Sequence, residues 1–212
     1  MSLEQASGEE SVSNAHNHKR TGGKSLILNQ IKQWLIDLKE IIIVFFLAIW
    51  IMTFLISQNK VPSGSMMPTL NVNDRIIVSM LPYYYRLPQR GELVVFNGPD
   101  RKKWIKRVIG LPGETIDIRE GDIYINDVCL DETAYLSEPH ISSNNPAIVS
   151  QISFPYRVPE NTYFLLGDNR LESYDCRYIG AISQVEITGK AIYRIYPFSK
   201  IGLIEENVYK MS

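Results

Sequence analysis

Two serines flank one glycine in Ser63-Gly64-Ser65, inside the segment Val61-Pro62-Ser63-Gly64-Ser65-Met66-Met67-Pro68-Thr69-Leu70. A serine hydroxyl is a weak nucleophile until an adjacent base takes its proton. The segment also reads as a polar linker rich in turn residues. Met66, Met67 and Leu70, however, are apolar side chains that a plain linker does not need. The usual base is histidine, and here the histidines are badly placed. His16 and His18 lie in a polar N-terminal stretch, and His140 sits among Ser, Asn and Pro. None falls in a hydrophobic, strand-like segment. This argues against a Ser-His-Asp triad and against a zinc site built on histidine.

Lysine is the alternative base. Lys106 lies in Lys103-Trp104-Ile105-Lys106-Arg107-Val108-Ile109. Strand alternation puts Trp104, Lys106 and Val108 on one face and Ile105, Arg107 and Ile109 on the other. Each face carries one cation among large apolar groups. One reading is a solvated edge strand, with the stems packed and the charged heads in water. The other desolvates a cation. Burial disfavours the ammonium and brings a lysine pKa down from about 10.4 toward neutrality. Arginine stays protonated, so if either cation is a base it is Lys106.

A third polar group follows the apolar run Tyr163-Phe164-Leu165-Leu166: Gly167-Asp168-Asn169-Arg170, then Ser173, Asp175 and Arg177. Gly-Asp-Asn suits a turn that closes a hairpin. A turn does not account for Ser, Asp and Arg at alternate positions, which extended backbone aims to one side. There Asp175 and Arg177 would form a buried ion pair, and Ser173 would hold a neutral lysine by hydrogen bond. Serine with lysine in place of histidine is a known variant of the triad logic.

The elements that must position these residues read as β. Asp74–Ser79, Glu92–Phe96, Trp104–Ile109, Thr115–Arg119, Asp122–Asn126, Tyr163–Leu166 and Lys190–Tyr196 are short, β-branched or alternating. Glu120-Gly121 is a hairpin turn signal between two of them. No long helical periodicity occurs after residue 57, so the spacing predicts barrel-like or sandwich β structure. Residues 131–156 read as an irregular loop.

The N-terminal part differs. Residues 1–24 are polar and read as a flexible tail. Ile27, Ile31, Trp34, Leu35 and Leu38 recur at helical spacing from Ser25 to Lys39, as in an interfacial lead-in. Ile41 to Ile56 then runs without a charge, a little short of the usual span of about 20 residues. A buried core segment is the plain alternative, and a cleavable signal the other. Ser57-Gln58-Asn59-Lys60 lacks a small-x-small cleavage signature, so the run reads as an uncleaved anchor. Lys19, Arg20, Lys24, Lys32 and Lys39 precede it, which places the N-terminus in the cytoplasm and the rest outside. The expected organisation is a cytoplasmic tail at 1–24, an amphipathic lead-in and anchor at 25–57, and an extracytoplasmic domain at 58–212.

The formal net charge of −1 provides no basic field for nucleic acid. The only cysteines, Cys129 and Cys176, exclude a disulfide scaffold.

In this order, behind an apolar N-terminal segment, Pro62–Leu70, Ile105–Gly113 and Gly167–Arg170 with Ser173, Asp175 and Arg177 resemble the bacterial type I signal peptidase (leader peptidase) family. The resemblance runs from Val61 to around Arg194. It implies a mostly β fold, with a catalytic core, a second β subdomain inserted near residues 111–156, and one preceding transmembrane helix. Ser65 would be the nucleophile and Lys106 the general base. Ser63 would donate its hydroxyl to the oxyanion hole, together with the backbone N–H of Ser65. Ser173 would orient the lysine, and Asp175 and Arg177 would support the site. Val61, Leu70, Trp104 and Ile105 would form shallow pockets for small side chains, one and three residues before the cut.

The implied substrate is a translocated pre-protein bound as an added strand and cut after its signal peptide. The implied surroundings are membrane lipid and the export machinery, with the enzyme a single-pass protein of the plasma membrane. No metal, cofactor or nucleic acid is implied. Cys176 departs from the family pattern, which often has serine there, and is expected to make the enzyme thiol-sensitive. Two other readings compete. A self-cleaving repressor-type protease needs a DNA-binding head, and the polar first 24 residues are too short for one. An inactive anchored module would keep the groove and only capture peptides, but Ser65 and Lys106 are both present.

Overall fold

The structure, a computed structural model, describes residues 6–136 and 152–204, with backbone alone for 6–26 and 52–55. His140 and the rest of 137–151 lie outside the described residues. The chain divides into two units, Met1–Met52 and Thr53–Ser212.

The first unit is built on helix α1, Ala6–Leu55. No proline occurs between these bounds, so nothing removes a backbone donor or blocks the helical turn. The helix therefore takes in residues 6–24, where composition alone reads as a tail. From Ile41 to Ile51 its side chains are exposed within the chain, among them Phe45, Phe46 and Trp50. Among the described residues, no helix is long and apolar enough to cross a membrane.

The second unit is mostly β. In chain order it holds β1 (Ile56–Lys60), β2 (Arg75–Ser79), β3 (Leu93–Asn97), β4 (Lys103–Gly110), β5 (Thr115–Arg119), β6 (Asp122–Ile125), β7 (Val128–Cys129), β8 (Tyr156–Arg157) and β9 (Thr162–Leu166). The short helix α2 (Cys176–Ile179), then β10 (Ile182–Ser183), β11 (Ile187–Tyr196) and β12 (Gly202–Leu203) complete it. The larger sheet has the order β1-β2-β11-β3-β4-β9-β10, with β12 paired to β11. A second sheet, β7-β6-β5-β8, is formed by chain lying between β4 and β9. The turn at Glu120-Gly121 has positive φ at both residues, as a tight hairpin between β5 and β6 requires.

Both faces of the larger sheet are covered, which sets the register of β3. Val94 and Phe96 enter one buried cluster with Val108, Phe164 and, from the second sheet, Ile116 and Ile123. Leu93 and Val95 enter the other, with Val61, Met66, Leu70 and Ile105. In β4 the alternation holds as far as Val108. The pairing with β9 then shifts register between Val108 and Gly110, so Ile109 joins Val108 in the first cluster. The bulge adds one residue and resets which side a side chain faces.

Candidate active site

Strand β4 lies between β3 and β9, so it is a central strand and not a solvated edge. Lys106 and Arg107 are 4% and 0% exposed, which decides between the two readings of this segment: both cations are desolvated. They face different partners. Lys106 Nζ lies 2.6 Å from Ser65 Oγ. Arg107 makes a two-pronged pair with Asp168, Nε to Oδ1 at 2.8 Å and Nη2 to Oδ2 at 2.6 Å. Its other donors reach the Gly91 carbonyl at 2.9 Å and Thr69 Oγ1 at 3.2 Å.

Ser65 stands in the 3₁₀ turn Gly64–Met66. Met66 and Leu70, both fully buried, pin this turn to the second cluster, and the Leu70 N–H donates to the Met66 carbonyl. From across the site the Asn169 N–H donates to the Ser65 carbonyl at 3.0 Å. Ser63 is exposed at the rim, and its hydroxyl lies 3.4 Å from Ser65 Oγ.

The 167–177 segment packs behind Ser65. A Cβ on Gly167 would lie 2.1 Å from Ser173 Oγ and 2.5 Å from the Ser65 carbonyl oxygen, so only glycine permits this approach. Ser173, Asp175 and Arg177 are all buried. Arg177 Nε donates to Asp175 Oδ1 at 2.8 Å and Nη2 to Oδ2 at 2.9 Å. The expected hydrogen bond from Ser173 to the lysine is not made; the Ser173 hydroxyl is buried against Gly167.

Electrostatics follow from this packing. Burial pushes the Lys106 pKa down to about 8, against the carboxylates of Asp175 and Asp168, which favour the charged form. Burial alone would raise the Asp175 carboxyl, but hydrogen bonds and charge from Arg177 outweigh it and hold the group below its usual range.

A cleft of about 390 Å³ opens over the pair, lined by Ser63, Ser65, Trp104, Ile105 and Lys106 together with Tyr174. Trp104 is held there by its indole N–H, which donates to Asp100 Oδ1 at 2.9 Å, and by edge contacts with Phe96 and Tyr174. Val61 and Leu70 do not line it. They are 1% and 0% exposed and form the core beneath, beside Ile105.

Cys176 is also not where thiol chemistry reaches it. It is 1% exposed, its Sγ accepts the Leu165 N–H, and burial pushes its thiol far above the usual range. The expected thiol sensitivity is therefore corrected, because a buried thiol without thiolate character is inert. Alkylation of the folded protein with iodoacetamide should modify Cys129, which is partly exposed, leave Cys176 unmodified and leave activity intact. Peptide mass mapping checks this.

Two interactions at the site carry no sequence signal of their own kind. The Arg107–Asp168 pair joins a strand residue to a residue that reads as part of a turn. Arg170 is paired with Glu132, which lies in a stretch with no motif. Sequence reasoning also missed Asn169 as the backbone partner of Ser65.

A serine hydroxyl against a desolvated amine, in an open cleft on a rigid sheet, can carry out nucleophilic acyl transfer. That chemistry is the kind serine hydrolases use, and serine endopeptidases are one class of them. Residues 32–196 match the family model described as signal peptidase, peptidase S26, and the chain belongs to that family. It is 38% identical to a probable signal peptidase I-2 of Synechocystis sp. over 82% of this chain and 78% of that one. It is 35% identical to signal peptidase I S of Bacillus subtilis over 77% of this chain and 89% of that one. A crystal structure of a signal peptidase I from Enterococcus faecalis is 37% identical, covers 50% of this chain and 97% of its own, and superposes with a TM-score of 0.43.

Proposed function

We propose that this chain is a membrane-anchored endopeptidase that cuts signal peptides from translocated pre-proteins with a Ser65/Lys106 dyad. The 2.6 Å separation of Nζ and Oγ is the observation that carries the reading. Neutral Lys106 takes the proton of Ser65 as its oxygen attacks the scissile carbonyl. The oxyanion is held by the Ser63 hydroxyl and the Ser65 N–H. Protonated Lys106 then gives its proton to the leaving amine, and the neutral base activates the water that hydrolyses the ester. Asp175 and Arg177 brace the loop behind the base, with Ser173 a supporting residue in it.

Trp104 and Ile105 line the cleft where small side chains before the cut would sit, with Val61 and Leu70 setting its depth from below. Residues 25–57 would anchor the enzyme, and the exposed apolar side chains from Ile41 to Ile51 support that role. The N-terminus would be cytoplasmic and residues 58–212 extracytoplasmic, next to lipid and the export machinery. The excursion near 111–156 would be the inserted subdomain.

The test is cleavage of a pre-protein with an Ala-x-Ala site by the full chain in detergent or lipid, with the new N-terminus read by mass spectrometry. Cutting after that alanine supports the reading, and no cutting by folded protein favours the peptide-capturing module. Two finer results are expected. Ser63→Ala should lose about 2.7–4 kcal/mol of transition-state stabilisation, visible as a fall in kcat of roughly 10²–10³-fold with residual activity. Activity should rise with pH through about 8, because the neutral base grows as pH passes the lowered lysine pKa. A flat profile from acid to alkaline pH would count against Lys106 as base.

A further inference from the structure

Chain leaving the second sheet reaches into the catalytic core. The Leu130 N–H donates to the Ile123 carbonyl, and Leu130 packs in the shared core, so this chain is tied to the second sheet. Two residues on, Glu132 is 4% exposed and meets Arg170 two-pronged, at 2.7 Å to Nη1 and 2.5 Å to Nη2. Tyr135 closes the same group: its hydroxyl donates to Glu132, and Arg170 Nη2 lies 3.3 Å from that hydroxyl. Its ring covers Arg107, with the guanidinium carbon 4.2 Å from the ring centre.

Both arginines lead to the dyad. Arg170 Nε donates to the Gly167 carbonyl at 3.0 Å, which fixes the loop whose Asn169 N–H holds the Ser65 carbonyl. The Asn169 side chain also donates to the Gly64 carbonyl, at 3.3 Å. Arg107 adjoins Lys106 in β4 and locks Asp168 in the same loop. Planar arginine forks fix orientation as well as distance.

We propose that residues 131–136 clamp the nucleophile turn and the base strand together, with Glu132 and Tyr135 as positioning residues for catalysis. The second sheet thereby helps set the Ser65–Lys106 geometry. The inference rests on the dyad reading above. A displacement of about 1 Å at a reacting group costs on the order of 10²-fold in rate, which is the scale at which a loosened clamp would be felt.

The test uses the full chain in detergent or lipid, with Glu132→Gln, Glu132→Asp and Tyr135→Leu. Glu132→Gln and Tyr135→Leu should lower kcat by about 10²-fold with KM little changed. Glu132→Asp, which keeps the charge, should recover part of the loss. Amide exchange at Asn169 should quicken in the two impaired variants while the amides of β3 and β4 stay protected. Wild-type kcat in folded variants would overturn the proposal, and so would equal acceleration of exchange across β3 and β4, which marks general loosening. If Glu132→Gln does not accumulate folded, Tyr135→Leu, which leaves both ion pairs in place, decides on the same readouts. Retained cleavage by Ser65→Ala would remove the dyad reading, and the Asn169 exchange result would still decide the clamp.

Discussion

Lys106→Ala and Ser65→Ala should each abolish detectable cleavage while the protein remains folded. In serine peptidases, loss of nucleophile or base costs on the order of 10⁶ in kcat, and what survives comes from oxyanion stabilisation and binding. Lys106→Arg is the sharper variant. It keeps a long cationic side chain, but a guanidinium stays protonated and cannot accept the Ser65 proton. It should therefore be as inactive as the alanine variant. The measurement is product appearance by mass spectrometry over long incubations, with folding followed by circular dichroism. Substantial cleavage by Lys106→Arg would mean that the lysine acts through its charge alone and that the base lies elsewhere.

Asp168→Ala should cost about 3–5 kcal/mol of stability, because it takes the carboxylate away from the buried Arg107 charge. Arg107 and Asp168 side chains are 0% and 1% exposed, so water cannot replace the lost partner. The tyrosine ring over Arg107, the carbonyl of Gly91 and the hydroxyl of Thr69 remain, but none of these three carries a full negative charge. Denaturant unfolding of variant and wild type gives the difference directly. A loss under about 1 kcal/mol would place this pair with weak surface bridges. A second consequence concerns the base. Asp168 favours the charged form of Lys106, so its removal should move the midpoint of the pH–rate profile below that of wild type.

These two expectations differ in how much of each could be read along the chain. Ser65 and Lys106, the pair proposed as the dyad, were legible because the chemistry they would carry lies in residue type. With no histidine in a strand-like segment, lysine was left as base, and the resemblance to signal peptidases pointed to Ser65. The strands β2 to β6 were legible because β-branched alternation and a Glu-Gly turn are local signals. The two-residue strands β7, β8, β10 and β12 were not, since two residues show no period. Strand β1 was hidden too, its first residue closing an apolar run that reads as helix.

Taken alone, the sequence determined which side chains are able to do chemistry, the β character of the second unit and the choice of Lys106 over Arg107. Local alternation and intrinsic side-chain chemistry suffice for those. Tertiary structure decided whether the chemistry is available. Only the tertiary packing around β4, which lies between β3 and β9, desolvates Lys106 and brings it to a serine 41 positions away. Glu132 could not be matched to Arg170, nor Asp168 to Arg107, because those partners are 38 and 61 positions apart with no periodicity connecting them. Val61 and Leu70 went to the core, and Cys176 out of reach of reagents, for the same reason: burial is settled by what packs on the far side of a residue, and neighbours in sequence do not specify it.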